Sequence, residues 1–195
     1  MIKLKEVEVR PTELVYITAV NYQERTFFAQ QCKHTNKDLV DHNNSIHEYC
    51  KKLYESRQKD EPAIQPAVGQ VLCARYKLDS NWYRVMVKSI DNDTQECTCY
   101  FIDYGNVETV HYDNLIRLNP AEVPAMTRAP FGFFATMEDS EKLDEARSKH
   151  LLDCLMNEYV LIREHGRLKE NLWRVELPKV AYNTTFWVAS ERKFT

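Results

Sequence analysis

A mainly β protein with a few helices, of the α+β class, is what this sequence predicts, and three observations carry the expectation. Between residues 70 and 111, four short runs rich in β-branched and aromatic residues follow one another with only turn material between them. Two further runs flank the polar break Asn21 to Arg25 and read as a hairpin. The 3.6-residue helical period surfaces in only two stretches, one on each side of the central runs.

Taken in order, Leu14–Val20 and Thr26–Gln30 form the arms of the hairpin. Ser45-Ile46-His47-Glu48 fits a capping box, with Ser as N-cap and Glu at N3, so a helix is expected to start there. Its apolar face would be Ile46, Tyr49, Cys50, Leu53 and Tyr54, and it would end near Gln58. Lys59–Pro66, with two prolines and three charges, reads as a surface linker. The central strands are Gln70–Tyr76, Trp82–Ser89, Glu96–Ile102 and Val107–His111, separated by Asp79-Ser80-Asn81, Asp91-Asn92-Asp93 and Tyr104-Gly105-Asn106. Asp113–Leu118 adds a helical turn or a last strand. Ala129–Met137 is a further strand, and Asp139-Ser140 caps a second helix reaching Met156. Tyr159–Arg163 and Leu172–Leu177 are strands joined through Glu164-His165-Gly166-Arg167, and Asn183–Ala189 closes the chain as a short helix or strand. An isolated hairpin with one helix is marginal in water, so the segments on either side of the central module are expected to need each other.

Composition narrows the function classes. The chain has 195 residues, 44% hydrophobic and 28% charged, with a net charge of −3, which gives no general attraction to a phosphate backbone or an anionic membrane. Residues 67–120 carry five basic and seven acidic side chains, a balance that suits a cationic ligand. Six cysteines (Cys32, Cys50, Cys73, Cys97, Cys99, Cys154) occur without a Cys-x-x-Cys pair, and Met1-Ile2-Lys3-Leu4-Lys5 is too polar for a secretory signal. Free thiols in a reducing, intracellular compartment are therefore expected. Cys97-Thr98-Cys99 has the wrong spacing for the common zinc motifs and reads as core packing on one strand face. The six histidines are scattered and form no metal set, the glycines are too few for a phosphate loop, and the charge run Glu138–Lys149 reads as a solvated face.

The central stretch carries more. Trp82-Tyr83-Arg84 followed by Phe101-Ile102-Asp103-Tyr104-Gly105-Asn106 resembles the signature of a Tudor domain, an SH3-like β-barrel. With a hairpin and helix before it and a strand, helix and two strands after it, the whole chain resembles an extended Tudor domain. In that family the Tudor core is inserted in a split, staphylococcal-nuclease-like OB-fold. The resemblance implies an N-terminal part of the OB-fold over 1–65, a Tudor core over 66–120 and a C-terminal part of the OB-fold over 121–195.

It also implies a function. Extended Tudor domains hold dimethylarginine, usually the symmetric isomer, in four aromatic residues and an asparagine, which fall here on Tyr76, Tyr83, Phe101, Tyr104 and Asn106. The loop from Tyr76 to Tyr83 is about a residue longer than the family pattern. The implied ligands are Arg/Gly-rich tails of partner proteins, among them PIWI-class Argonautes of piRNA silencing, in cytoplasmic, perinuclear germ granules. No catalytic residue, metal or cofactor is implied.

The chemistry of these residue types agrees. A dimethylated guanidinium keeps its charge, loses donors and gains methyl groups, so aromatic faces suit it better than a carboxylate fork. Asn106 can accept a remaining guanidinium N–H, and Gly105 permits the turn that presents Tyr104 and Asn106 together. Taken singly, each ring would be read as core; their register in one motif favours a cage. Asp103 is expected as a structural acceptor, with Trp82 and Arg84 shaping the wall. Competing readings are a methyl-lysine reader, which would make poor use of Asn106, and an RNA-binding or scaffold OB-fold, which the balanced flanks disfavour. A nuclease is a remoter reading, since the hairpin offers only Glu13, Glu24 and Arg25.

Overall fold

The computed structural model describes residues 2–56, 64–117, 119–138, 142–169 and 171–177. The expected linker falls partly, and the closing element wholly, outside these residues. The described chain is mainly β with two helices, and its strands form two curled sheets. It divides into two compact units, one of residues 1–8 and 33–133, the other of residues 9–32 and 134 onward.

The second unit is built on a closed barrel of strands β1 (Thr12–Asn21), β2 (Thr26–Gln31), β8 (Gly132–Met137), β10 (Leu172–Glu176) and β9 (Tyr159–Lys169), in that order around the wall. The hairpin β1–β2 turns because Asn21 Oδ1 accepts the N–H groups of Gln23 and Glu24, and Arg25 takes φ 53°. Alternate residues Val15, Ile17, Val160, Ile162 and Val175 are buried, as the two-residue period of strands requires. Helix α2 spans Glu145–Leu155, capped by Asp144, whose carboxylate accepts the Arg147 N–H at 2.8 Å. The expected cap Asp139-Ser140 lies outside the described residues, and Asp144 makes the cap bond of α2. The expected connection at Glu164–Arg167 lies within β9, because Glu164 and Arg167 pair with Val175 and Trp173 of β10. Gly166 accommodates the irregular register there at φ 119°.

The first unit holds a five-stranded antiparallel sheet in the order β6 (Val107–His111), β5 (Glu96–Phe101), β4 (Trp82–Asp91), β3 (Val71–Arg75) and β7 (Leu115–Ile116). Its β4–β5 turn repeats the device of the other hairpin: Asp91 Oδ1 accepts from Asp93 and Thr94, and Gln95 takes φ 54°. Leu72, Ala74, Val85, Val87, Cys97 and Cys99 fill the concave side. This fits the reading of the cysteine pair as core, their sulfurs lying 3.3 Å apart as free thiols.

Helix α1, also in this unit, spans Asn36–Ser56 and so begins nine residues before the expected Ser45. The capping box that forms is Thr35 with Asp38: Thr35 Oγ1 accepts the Asp38 N–H at 3.1 Å, and Asp38 Oδ2 accepts the Thr35 N–H at 2.8 Å. Ser45 lies in the helix interior, where its hydroxyl donates to the His42 carbonyl. The two added turns bring His42 and Asn43 onto the helix.

Candidate functional site

Two short loops at one end of the sheet set the geometry. After β3, Tyr76 N–H donates to the Asn81 carbonyl at 2.8 Å, and Ser80 N–H donates back to the Tyr76 carbonyl at 2.9 Å, closing the loop to β4. After β5, the Phe101 carbonyl accepts from both Tyr104 and Gly105, while Phe101 N–H donates to the Asn106 carbonyl at 2.9 Å. Gly105 sits at φ 84°, a conformation that L side chains resist, so the turn depends on glycine there.

These loops bring the four rings together. Tyr76 lies 5.3 Å from Phe101 and 6.2 Å from Tyr83, centroid to centroid; Tyr83 lies 6.2 Å from Phe101 and 5.5 Å from Tyr104. Two of these pairs are nearly perpendicular, at 85° and 86°, so the rings meet as adjoining walls of a box. Phe101 is 2% exposed and belongs to the sheet's core, whereas Tyr76, Tyr83 and Tyr104 are half-buried on top of it. Asn106 follows in the same turn, also half-buried, and its side-chain amide holds no hydrogen bond among the described residues. Tyr100, the neighbouring aromatic, is buried and donates to the Ile102 carbonyl, apart from the cluster.

Two residues that sequence reasoning did not single out fix the rings. Asn43 of α1 donates from Nδ2 to the Tyr104 hydroxyl at 2.6 Å. Asp79, in the first loop, accepts from the Tyr83 hydroxyl at 2.7 Å, and it also caps its own turn by accepting from Asn81 N–H. The loop was legible as turn material, but the partner of Asp79 was not. Asn43 was hidden because the sequence pattern places the helix start after it. Burial, with the Asp79 hydrogen bond adding to it, pushes the Tyr83 phenol well above its usual value; burial pushes Tyr104 up to about 12. Both rings stay neutral at ordinary pH, as a cation-binding face requires. Asp79 adds a carboxylate beside the rings, a favourable charge for a cationic guest.

Beneath the rings lies a buried ionic network. Arg84 is 1% exposed and its guanidinium grips Asp103 from two nitrogens, Nε to Oδ2 at 2.8 Å and Nη2 to Oδ1 at 2.7 Å. Its other N–H groups reach the carbonyls of Ala125, Arg128 and Ala129. Asp103 also accepts the Phe131 N–H and lies 3.4 Å from His42 Nε2. Burial opposes ionisation of Asp103, but the charge and hydrogen bonds of Arg84 outweigh it and hold the carboxyl below the usual range. Asp103 is therefore the structural acceptor expected, and Arg84 and the buried Trp82 are parts of the wall. In three places a network residue adjoins a residue of the ring cluster: His42 and Asn43, Arg84 and Tyr83, Asp103 and Tyr104. The network thus positions the backbone from which Tyr83, Tyr104 and the anchor Asn43 project.

The Tudor domain family model matches residues 9–129. Tudor domain-containing protein 1 of Homo sapiens is 33% identical over 149 residues, which are 74% of this chain and 12% of that protein, so the chain spans only a small part of its relative's length. An extended Tudor domain of human TDRD1, solved with a symmetrically dimethylated peptide, superposes with a TM-score of 0.71 at 20% identity, over 91% of this chain and 84% of that one. Extended Tudor domain TD3 of mouse TDRD1, solved with a MILI peptide containing dimethylarginine, gives 0.70 at 25% identity, over 93% and 89%.

Proposed function

We propose, from the premise that this chain belongs to the Tudor domain family, that it reads symmetrically dimethylated arginine in Arg/Gly-rich tails of partner proteins. The family is one of binding modules, not of enzymes. One observation carries the reading: Tyr76, Tyr83 and Tyr104, each half-exposed, are linked by ring contacts through Tyr83 over the core that holds Phe101, and Asn106 follows in the same turn as Tyr104. The methyl groups would lie against ring faces, each contributing cation–π attraction of about 0.5–2 kcal/mol, and the Asn106 carbonyl would accept a guanidinium N–H.

The same proposal extends to the partner and its setting. The tail belongs to a PIWI-class Argonaute, and the complex acts in small-RNA silencing in cytoplasmic, perinuclear germ granules. Two of the structural neighbours carry dimethylated peptides, one of them with dimethylarginine, which supports methylarginine as the ligand class. Calorimetric titration with one peptide carrying arginine, asymmetric dimethylarginine, symmetric dimethylarginine or trimethyllysine tests the reading. Tightest binding of the symmetric form is expected; equal affinity for arginine, or preference for methyl-lysine, would overturn it.

A further inference from the structure

A second concavity adjoins the ring cluster, of about 230 Å³, and two of its walls are Tyr76 and Phe101. It lies wholly within the unit of the five-stranded sheet, between the end of β3 and the edge strand β6. Small-molecule sites run to several hundred cubic ångströms, so this volume suits a single side chain. Its polar lining holds two cations, Arg75 and Lys77, one carboxylate, Glu108, and the side chains of Ser80, Thr109, His111 and Asn114. Arg75 donates from Nε to the Ser80 carbonyl at 3.3 Å and its guanidinium lies 5.7 Å from the Tyr54 ring centroid; its terminal nitrogens hold no hydrogen bond among the described residues. The same is true of the side chains of Ser80, Thr109 and Asn114. Glu108, the carboxylate of the lining, is paired with Lys77 at 2.5 Å. The Arg75 terminal nitrogens, unspent, favour an anion there, and two hydroxyls and an amide can turn donors toward it.

We propose that this pocket receives an acidic side chain, a carboxylate or a phosphate, from the same tail whose methylarginine fills the ring cluster; the inference rests on that reading of the cluster. Side chains two residues apart on an extended chain share a face about 7 Å apart. The two sites share the Tyr76–Phe101 wall, so a side chain two positions from the methylarginine, on the same face of the tail, is the one placed to reach the pocket. The ligand class narrows accordingly: an Arg/Gly-rich tail interrupted by Asp, Glu or a phosphorylated Ser is preferred to an uninterrupted one.

The test uses nine-residue Gly/Ala peptides with a central symmetric dimethylarginine and Ala, Glu, phosphoserine or Lys at position −2 or +2, titrated into the whole chain and its Arg75→Gln and Asn114→Ala variants. At one of the two positions, Glu and phosphoserine should bind roughly three- to tenfold more tightly than Ala, with Lys weaker than Ala, and the advantage should shrink with added salt. The Glu-to-Ala affinity ratio should fall to about one in Arg75→Gln. Equal affinities at both positions, or an advantage that survives both variants, would overturn the pocket while leaving the ring cluster standing. Should arginine and dimethylarginine bind alike, the cluster reading fails instead, and the Glu-to-Ala ratio measured on unmethylated peptides then decides the pocket: an Arg75-dependent advantage retains the anion site, and its absence removes it.

Discussion

The phenylalanines of one unit and the tyrosines of the other meet solvent differently. In the closed barrel, Phe27 and Phe28 of β2 are no more than 1% exposed, and Phe28 meets Phe134 edge-on at 5.2 Å inside the same unit. In the five-stranded sheet, Phe101 is equally covered, but three tyrosines climb out of the core, Tyr76 and Tyr104 on the 76–81 and 101–106 loops and Tyr83 at the start of β4. Both sheets share the same hairpin turn, an Asx residue with a left-handed residue four positions on, and a register shift in the arm that precedes it. The difference is therefore one of closure. A barrel that closes commits its inward side chains to packing, whereas a sheet left open can present rings at its end, provided something other than packing holds them. Here that something is the Arg84–Asp103 pair below and the Asn43 and Asp79 hydrogen bonds above.

The contrast can be broken most forcefully at its two foundations. Phe28→Ala should destabilise the protein by about 3–5 kcal/mol in chemical denaturation, as expected of a fully buried ring. Arg84→Ala should cost about as much for a different reason, because it leaves the buried Asp103 carboxylate without its guanidinium. The two can be told apart by acid. Asp103's folded-state pKa is depressed, so its contribution is fully present above the ordinary carboxylate range near pH 4 and is lost as pH falls below it. Denaturation curves between pH 2 and 6 should show that acid-sensitive component in Phe28→Ala and lack it in Arg84→Ala. A component of equal size in both would mean that Asp103 does not depend on Arg84.

Tyr104→Ala sharpens the comparison from the other side. It should weaken binding of symmetric dimethylarginine peptide roughly five- to thirtyfold, about 1–2 kcal/mol, while lowering stability by less than Phe28→Ala does. A large loss of stability with unchanged affinity would return the ring to the core.

Most of this layout is legible in the sequence. The strands, the turn at Gly105 and the five residues of the cluster follow from period, turn chemistry and a family motif that is dense in this stretch. What the sequence hides depends on competition between equally plausible local signals. Ser45-Ile46-His47-Glu48 and Thr35-Asn36-Lys37-Asp38 both spell capping boxes, and only the second had its donors unspent at a helix end. Placing the start at the first leaves Asn43 off the helix and out of the site. Glu164–Arg167 reads as a turn by polarity, yet pairing with β10 overrides local preference.

Asn43→Ala gives the smallest effect of the series. Loss of its bond to the Tyr104 hydroxyl should weaken peptide binding by about 0.5–1.5 kcal/mol, a two- to tenfold change measurable by calorimetry. No change would mean that Tyr104 is held by its turn alone.

The most direct measurement is of contacts between ligand and rings. Isotope-filtered nuclear Overhauser spectra of the protein with a symmetrically dimethylated arginine peptide should connect the N-methyl protons to ring protons of Tyr76, Tyr83, Phe101 and Tyr104 together. A peptide that binds while its methyl protons show no contact with these four rings would contradict the cage.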